Sequence, residues 1–155
     1  MSQAGNKIVV GALVGYVASR AMDQATTWYY AQQSDESKRR EEEIAPGGTL
    51  VLIGKQMGAA VGRELDNDEA GRVGIAAHRT MGVVYGMITA ALAGRGMRPM
   101  AAGLAVGTGA FLLVDEGTAI SEFAVYPAES HMRGVVGHGA FGLVAGALMS
   151  LVEGR

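Results

Sequence analysis

Asp23, His78, Asp115 and His138 are the residues of this chain whose types and spacing suit chemistry. The histidines sit in a run that is written twice. Gly74, His78, Gly82 and Gly86 recur sixty residues later as Gly134, His138, Gly142 and Gly146. A carboxylate beside an imidazole can hold or relay a proton, because histidine titrates near physiological pH. Two Asp and two His also form an adequate nitrogen–oxygen ligand set for a divalent metal such as zinc, iron or manganese. Two histidines on neighbouring helices could clamp a haem b, with flanking glycines leaving room for the ring. The structural alternative is that each histidine hydrogen-bonds an aspartate on the adjacent helix and locks the two together. Arg20, Arg79, Glu116 and Glu122 lie nearby in sequence and are candidate pairing partners.

Composition removes several other chemistries. The 155 residues contain no cysteine, which excludes disulfides, thiolate metal sites and thiol nucleophiles. A net charge of −2 argues against nucleic acid, which requires a concentrated basic surface. Ser19, Ser121, Ser130 and Ser150 lie in no nucleophile-elbow context, and Gly54-Lys55 lacks the glycine spacing of a phosphate loop. Asp115-Glu116, Glu122 and Glu129 offer acid–base pairs but read better as the solvated or paired mouth of a bundle. The sequence favours a protein that is not an enzyme.

The elements that must position these residues are long apolar segments. Residues 7–30, 73–93, 99–121 and 134–152 each approach the roughly 20 apolar residues needed to span a bilayer. Residues 80–94, 99–114 and 134–152 carry almost no acidic or basic side chain, unlike the charged face of a soluble amphipathic helix. The expected fold is therefore all-α: a four-span transmembrane bundle over residues 1–155, built as one domain from two tandem helical hairpins. A retained first helix reads better than a cleaved signal, because residues 8–18 run on through Arg20 and Asp23 without a cleavage site.

Between the first two spans lies a charged and amphipathic insertion at about 34–69. Residues 34–43 pair Asp35 with Arg39, Glu36 with Arg40 and Lys38 with Glu42 at i,i+4 spacing, and read as a solvated helix. Residues 49–65 place Leu50, Ile53, Met57, Ala60, Val61 and Leu65 on a helical stripe, which predicts an interfacial or re-entrant helix. Asp66-Asn67-Asp68-Glu69 lacks the pattern of a calcium loop and reads as a helix start.

The hairpins match each other. Gly11, Gly15 and Asp23 share their spacing with Gly103, Gly107 and Asp115. Gly11/Gly15, Gly82/Gly86, Gly103/Gly107 and Gly142/Gly146 are G-x-x-x-G pairs, which let helices approach closely in lipid. In an up-down-up-down bundle both aspartates and both histidines fall at one end and at similar depth. Trp28, Tyr29, Tyr30, Phe123 and Tyr126 fall at that end too, where an aromatic belt is expected. Ionisable groups inside a span are costly unless paired or hydrated, so a function is their default reading.

The chain resembles the YagU-like family of bacterial inner-membrane proteins. The resemblance lies in a glycine-rich first helix, a long insertion and three further spans. Its specific points are His78 followed by Tyr85-Gly86, and Gly137-His138 opening the last helix after Tyr126-Pro127 and Glu129. The charged helix at 34–43 and the smaller residues at helix contacts depart from the family's pattern. The resemblance implies a place in the bacterial inner membrane and a role in acid tolerance. Together these readings point to a small multi-pass membrane protein that handles protons or small ions, or binds a metal, through its Asp/His cluster. The alternatives are a bis-histidine haem protein and a non-catalytic accessory or scaffolding subunit. Expected partners are the lipid bilayer and further copies, or a larger membrane complex.

Overall fold

The computed structural model describes residues 3–116 and 125–154, and among them it is helical, with no strand. The elements in order are α1 (Gln3–Gln32), α2 (Asp35–Ile44), α3 (Thr49–Ala60), α4 (Asn67–Gly94), α5 (Pro99–Ala110), a π-helical turn (Phe111–Asp115) and α6 (Ala128–Glu153). Helices α1, α4, α5 and α6 form an up-down-up-down bundle, in which α1 packs on α4 and α6, and α5 packs on α6 and α4. The all-α expectation holds. The expected third helix is shorter as an α-helix: it passes into the π turn at Phe111, and the expected stretch from 117 to 121 lies outside the described residues.

Local sequence explains the helix ends. Asp66 caps α4, accepting from the Glu69 amide at 2.8 Å while Glu69 reaches back to the Asp66 amide, a reciprocal capping box. The acidic turn is thus the helix start that its sequence suggests. Pro99 opens α5 at its first position, where a missing N–H costs nothing. Gly154 closes α6 in the left-handed conformation, which glycine adopts without a steric penalty.

The bundle is held by backbone proximity. A methyl group on Gly15 would overlap the carbonyl oxygen of Gly82 and the backbone of Gly86; one on Gly86 would strike Gly11 and Gly15. The second hairpin repeats this crossing, since a methyl on Gly103 would meet the Gly142 carbonyl and the backbone of Gly146. Around these contacts the buried side chains are small: Ala18, Ala90, Ala93, Ala102, Ala110 and Ala145, with Val14, Val106, Phe141 and Met149. Large aliphatic residues point outward instead. Leu13 is 62% exposed, Leu113 71% and Leu151 79%, and Val84, Ile88, Leu104 and Leu143 are exposed with them.

The two crossings differ by one helical turn. Gly103, not Gly107, meets the neighbours equivalent to those of Gly15. An uninterrupted α5 would therefore put Phe111, not Asp115, where Asp23 stands in the first hairpin. The π turn changes this, with the Glu116 amide donating to the Phe111 carbonyl five residues back at 3.1 Å. It brings both Phe111 and Asp115 against α6 at Gly134, where a side chain would collide with each of them. Gly74, the sequence counterpart of Gly134, instead receives the Leu50 carbonyl of α3.

The insertion has two features that its sequence reading lacks. The buried face of α3 is Gly54 and Gly58, with Gly54 lying on the Ala70 backbone of α4. Met57 and Val61 of the apolar stripe are exposed. None of the three expected i,i+4 pairs of α2 forms an ion pair; Ser37 and Glu41 are buried instead. Tyr126 is also buried, in a small cluster with Ala45, Ile44 and Leu52, rather than in an aromatic belt, and Phe123 lies outside the described residues.

Gly15→Ala and Gly86→Ala are expected to cost about 1–3 kcal/mol each, because a close-packed contact must open. Gly109→Ala and Gly139→Ala meet open space and are expected to be neutral or to stabilise by up to about 1 kcal/mol through helix propensity. Thermal unfolding followed by circular dichroism checks the contrast.

Candidate functional site

All four residues singled out by the repeat border one cavity of about 260 Å³ at the end of the bundle that carries the insertion. The rest of its wall is mostly apolar, with Leu50 and Ile53 of α3, Tyr85 of α4 and Phe141 of α6. The antiparallel packing of α1 on α4 and of α5 on α6 puts the C-terminal halves of α1 and α5 beside the N-terminal halves of α4 and α6. Each aspartate thereby meets the histidine of its own hairpin.

In the first pair, His78 Nε2 lies 3.0 Å from Asp23 Oδ1. The other carboxylate oxygen, Oδ2, accepts from Arg79 Nη2, and Arg79 Nη1 donates to Ser19 Oγ at 3.1 Å. In the second pair, His138 Nε2 lies 3.2 Å from Asp115 Oδ2. His138 is the more buried imidazole, at 7% exposure, and the Phe111 ring leans on it with centroids 6.0 Å apart.

The four side chains do not meet at one point. They make two separate pairs across a shared cavity, and among the described residues no three His, Asp or Glu side chains are grouped as a metal site would need. In each pair the imidazole Nε2 faces a carboxylate. The four-ligand metal centre therefore does not fit this donor arrangement.

Of the candidate pairing partners, Arg79 joins the cluster. Glu116 instead holds His131 Nδ1 at 2.6 Å, at the bundle's rim. Arg20 is exposed and makes no ion pair among the described residues. Glu122 lies outside them. The serines are occupied locally: Ser19 Oγ donates to the Tyr16 carbonyl, Ser150 Oγ to the Gly146 carbonyl and Ser130 Oγ to Glu41, while Ser121 lies outside the described residues.

A second polar network, made by other residues, borders the same cavity. Arg133, on α6, donates to Gln33 Oε1 at 2.6 Å and pairs with Glu41 Oε2 at 2.8 Å. Glu41 Oε1 also accepts from Ser130 Oγ and from Gln33 Nε2, each at 2.6 Å. The Arg133 guanidinium stacks over Tyr30, 5.2 Å from its centroid. Ser34 adds a further tie, its amide and hydroxyl both donating to Glu129. Helix α2 is thus pinned to α6. Burial pushes the Glu41 carboxyl up, but the hydrogen bonds from Arg133, Ser130 and Gln33 and the charge of Arg133 outweigh it, holding the group below its ordinary value. The only advance signal was compositional: Gln33, Ser37 and Glu41 recur every four residues, one helical face, through an otherwise charged run.

Comparison with protein-family models, curated proteins and solved structures gives no match, so the function must be argued from this geometry.

A carboxyl with a depressed folded-state pKa contributes stability above its unfolded value and loses it as pH falls through the folded one. Stability is accordingly expected to drop on acidification below the ordinary glutamate range. Glu41→Gln is expected to flatten that acid limb and to cost about 3 kcal/mol at neutral pH, since Arg133 would remain buried without its counter-charge. Unfolding midpoints measured across pH for both chains check this.

Proposed function

We propose that the chain is a four-span membrane protein that takes up and passes protons through the cavity between its helices. The carrying observation is that Asp23, His78, Asp115 and His138, far apart in sequence, all line one mostly apolar cavity. An Asp–His pair holds a proton at either partner with little movement, and histidine changes charge within the physiological range. Ionisable groups are expensive in such surroundings unless they pair, and each of these is paired.

The membrane reading rests on where the small and large residues lie. A soluble bundle buries its large aliphatic side chains. This one buries glycine, alanine and serine and turns leucine, isoleucine and valine outward on α1, α4, α5 and α6. Such an interior suits helices that associate in lipid, where close packing rather than hydrophobic burial holds them. By length and composition α6 is the one helix, among the described residues, apolar enough to cross a membrane. Helices α1 and α4 fall short of that criterion because they carry Arg20, Asp23, His78 and Arg79, three of which compensate one another inside the bundle. The apolar stretch Pro99–Asp115 is shorter, yet its 17 residues reach about 25 Å at α-helical rise, close to the thickness of a bilayer's hydrocarbon core.

A location in the bacterial inner membrane and a part in acid tolerance follow from the family resemblance and accord with proton handling. An accessory subunit would need a contact surface other than its glycine faces. All eight glycines of the four G-x-x-x-G pairs are used between helices of this same chain.

Reconstitution into liposomes loaded with a pH-sensitive dye tests the proposal. Under an imposed potential the unsubstituted chain is expected to pass protons, and His78→Ala combined with His138→Ala to reduce the rate by at least about tenfold, within the usual range for loss of a proton-transfer group. Equal rates in empty and protein-containing vesicles would sink the idea.

A further inference from the structure

The duplicated pairs are not chemically equivalent, and the difference lies one residue beyond each histidine. The sixty-residue offset that equates His78 with His138 equates Arg79 with Gly139. Arg79 engages Asp23, whereas Gly139 offers no side chain and has open space where one would stand. Resting on the proton-handling reading, we infer that the pairs divide the work: Asp115–His138 exchanges the proton, and Asp23–His78–Arg79 is a fixed lock between α1 and α4.

Charge counting carries the argument. In the first pair the Asp23 carboxylate is already balanced by Arg79 and is hydrogen-bonded to His78. Adding a proton there leaves a net positive charge in an apolar wall. In the second pair His138 is the only cationic partner of Asp115 among the described residues. Residues 117–124, Gly-Thr-Ala-Ile-Ser-Glu-Phe-Ala, contain no Lys, Arg or His to supply another. Adding a proton to this pair cancels a net negative charge. In a low-dielectric site the step that removes charge is favoured over the one that creates it.

The surroundings reinforce the distinction. Tyr85 and His78 from α4, Asp23 from α1 and Arg133 from α6 share the cavity with the second pair. Arg133 is committed to Glu41 and Gln33, and Glu116 beside Asp115 is committed to His131. Among the described residues no cation other than His138 pairs with Asp115. The second carboxylate is therefore left with an imidazole as its sole adjustable counter-charge, while the first has a permanent one that also ties α4 to Ser19 of α1.

Potentiometric proton uptake by the detergent-solubilised full chain between about pH 5 and pH 8, the range in which histidine charge changes, tests the division. His138→Gln and Asp115→Asn are each expected to lose uptake of about one proton per chain relative to the unsubstituted protein. His78→Gln is expected to keep it. Gly139→Arg, which supplies the missing cation, is expected to lose it as the first two do. Circular dichroism identifies any variant that has not folded. Should His78→Gln be one, Arg79→Gly gives the reading instead, through uptake of an additional proton by a first pair made like the second. Equal losses in His78→Gln and His138→Gln, undiminished uptake in His138→Gln, or no gain in Arg79→Gly would each overturn the division. Flux through liposomes separates this from the transport reading. Uptake that depends on His138 without flux keeps the division and rejects transport; flux without such uptake rejects the division.

Discussion

Contact between helix backbones is the constraint on which the rest of this molecule depends. Where Gly15 crosses Gly82 and Gly86, and Gly103 crosses Gly142 and Gly146, no side chain separates the two helices. That proximity fixes the rotation of each helix about its axis. It also sets how far apart side chains lie two turns along, which is the reach of an aspartate to a histidine. Larger residues at the crossings would push the helices apart and leave the four ionisable groups unpaired in apolar surroundings, a far more costly state than the loss of packing alone. The glycines and the polar pairs are therefore one device: close approach makes pairing possible, and pairing makes the buried charges tolerable.

The sequence carried much of this arrangement, and for a physical reason. A helix repeats its faces every three to four residues, so glycine pairs at i,i+4 and polar residues eight positions away report the same face whatever the tertiary context. The Asp23–His78 and Asp115–His138 pairings were readable in that way. So was the helix start at Asp66, because capping geometry is local.

What escaped the sequence is equally instructive. The burial of Glu41 depends on Gln33, Ser130 and Arg133, whose meeting requires α2 to fold back over α6. A charged run with i,i+4 spacing is as compatible with a solvated helix as with this buried network, and only the tertiary contact decides. Helix α3 misled for the opposite reason. Its apolar stripe was visible, but its contact with α4 is made by Gly54 and Gly58, residues with no hydrophobicity to display. The cluster likewise looked like four convergent ligands. All four do line one cavity, but position along a bundle does not determine separation across it, and the residues form two separate pairs.

The π turn at Phe111–Asp115 has a consequence for how two copies of one hairpin can diverge. Such a turn accommodates one residue more than an α-helical turn, and each residue advances an α-helix by about 100°. The winding at this place, together with side-chain identity, thus sets how Asp115 faces α6. Ordinary substitution alters what a helix presents. Here the winding of a single turn alters where Asp115 is aimed, so passing from α to π geometry is enough to re-address a carboxylate without rewriting the residues that carry it.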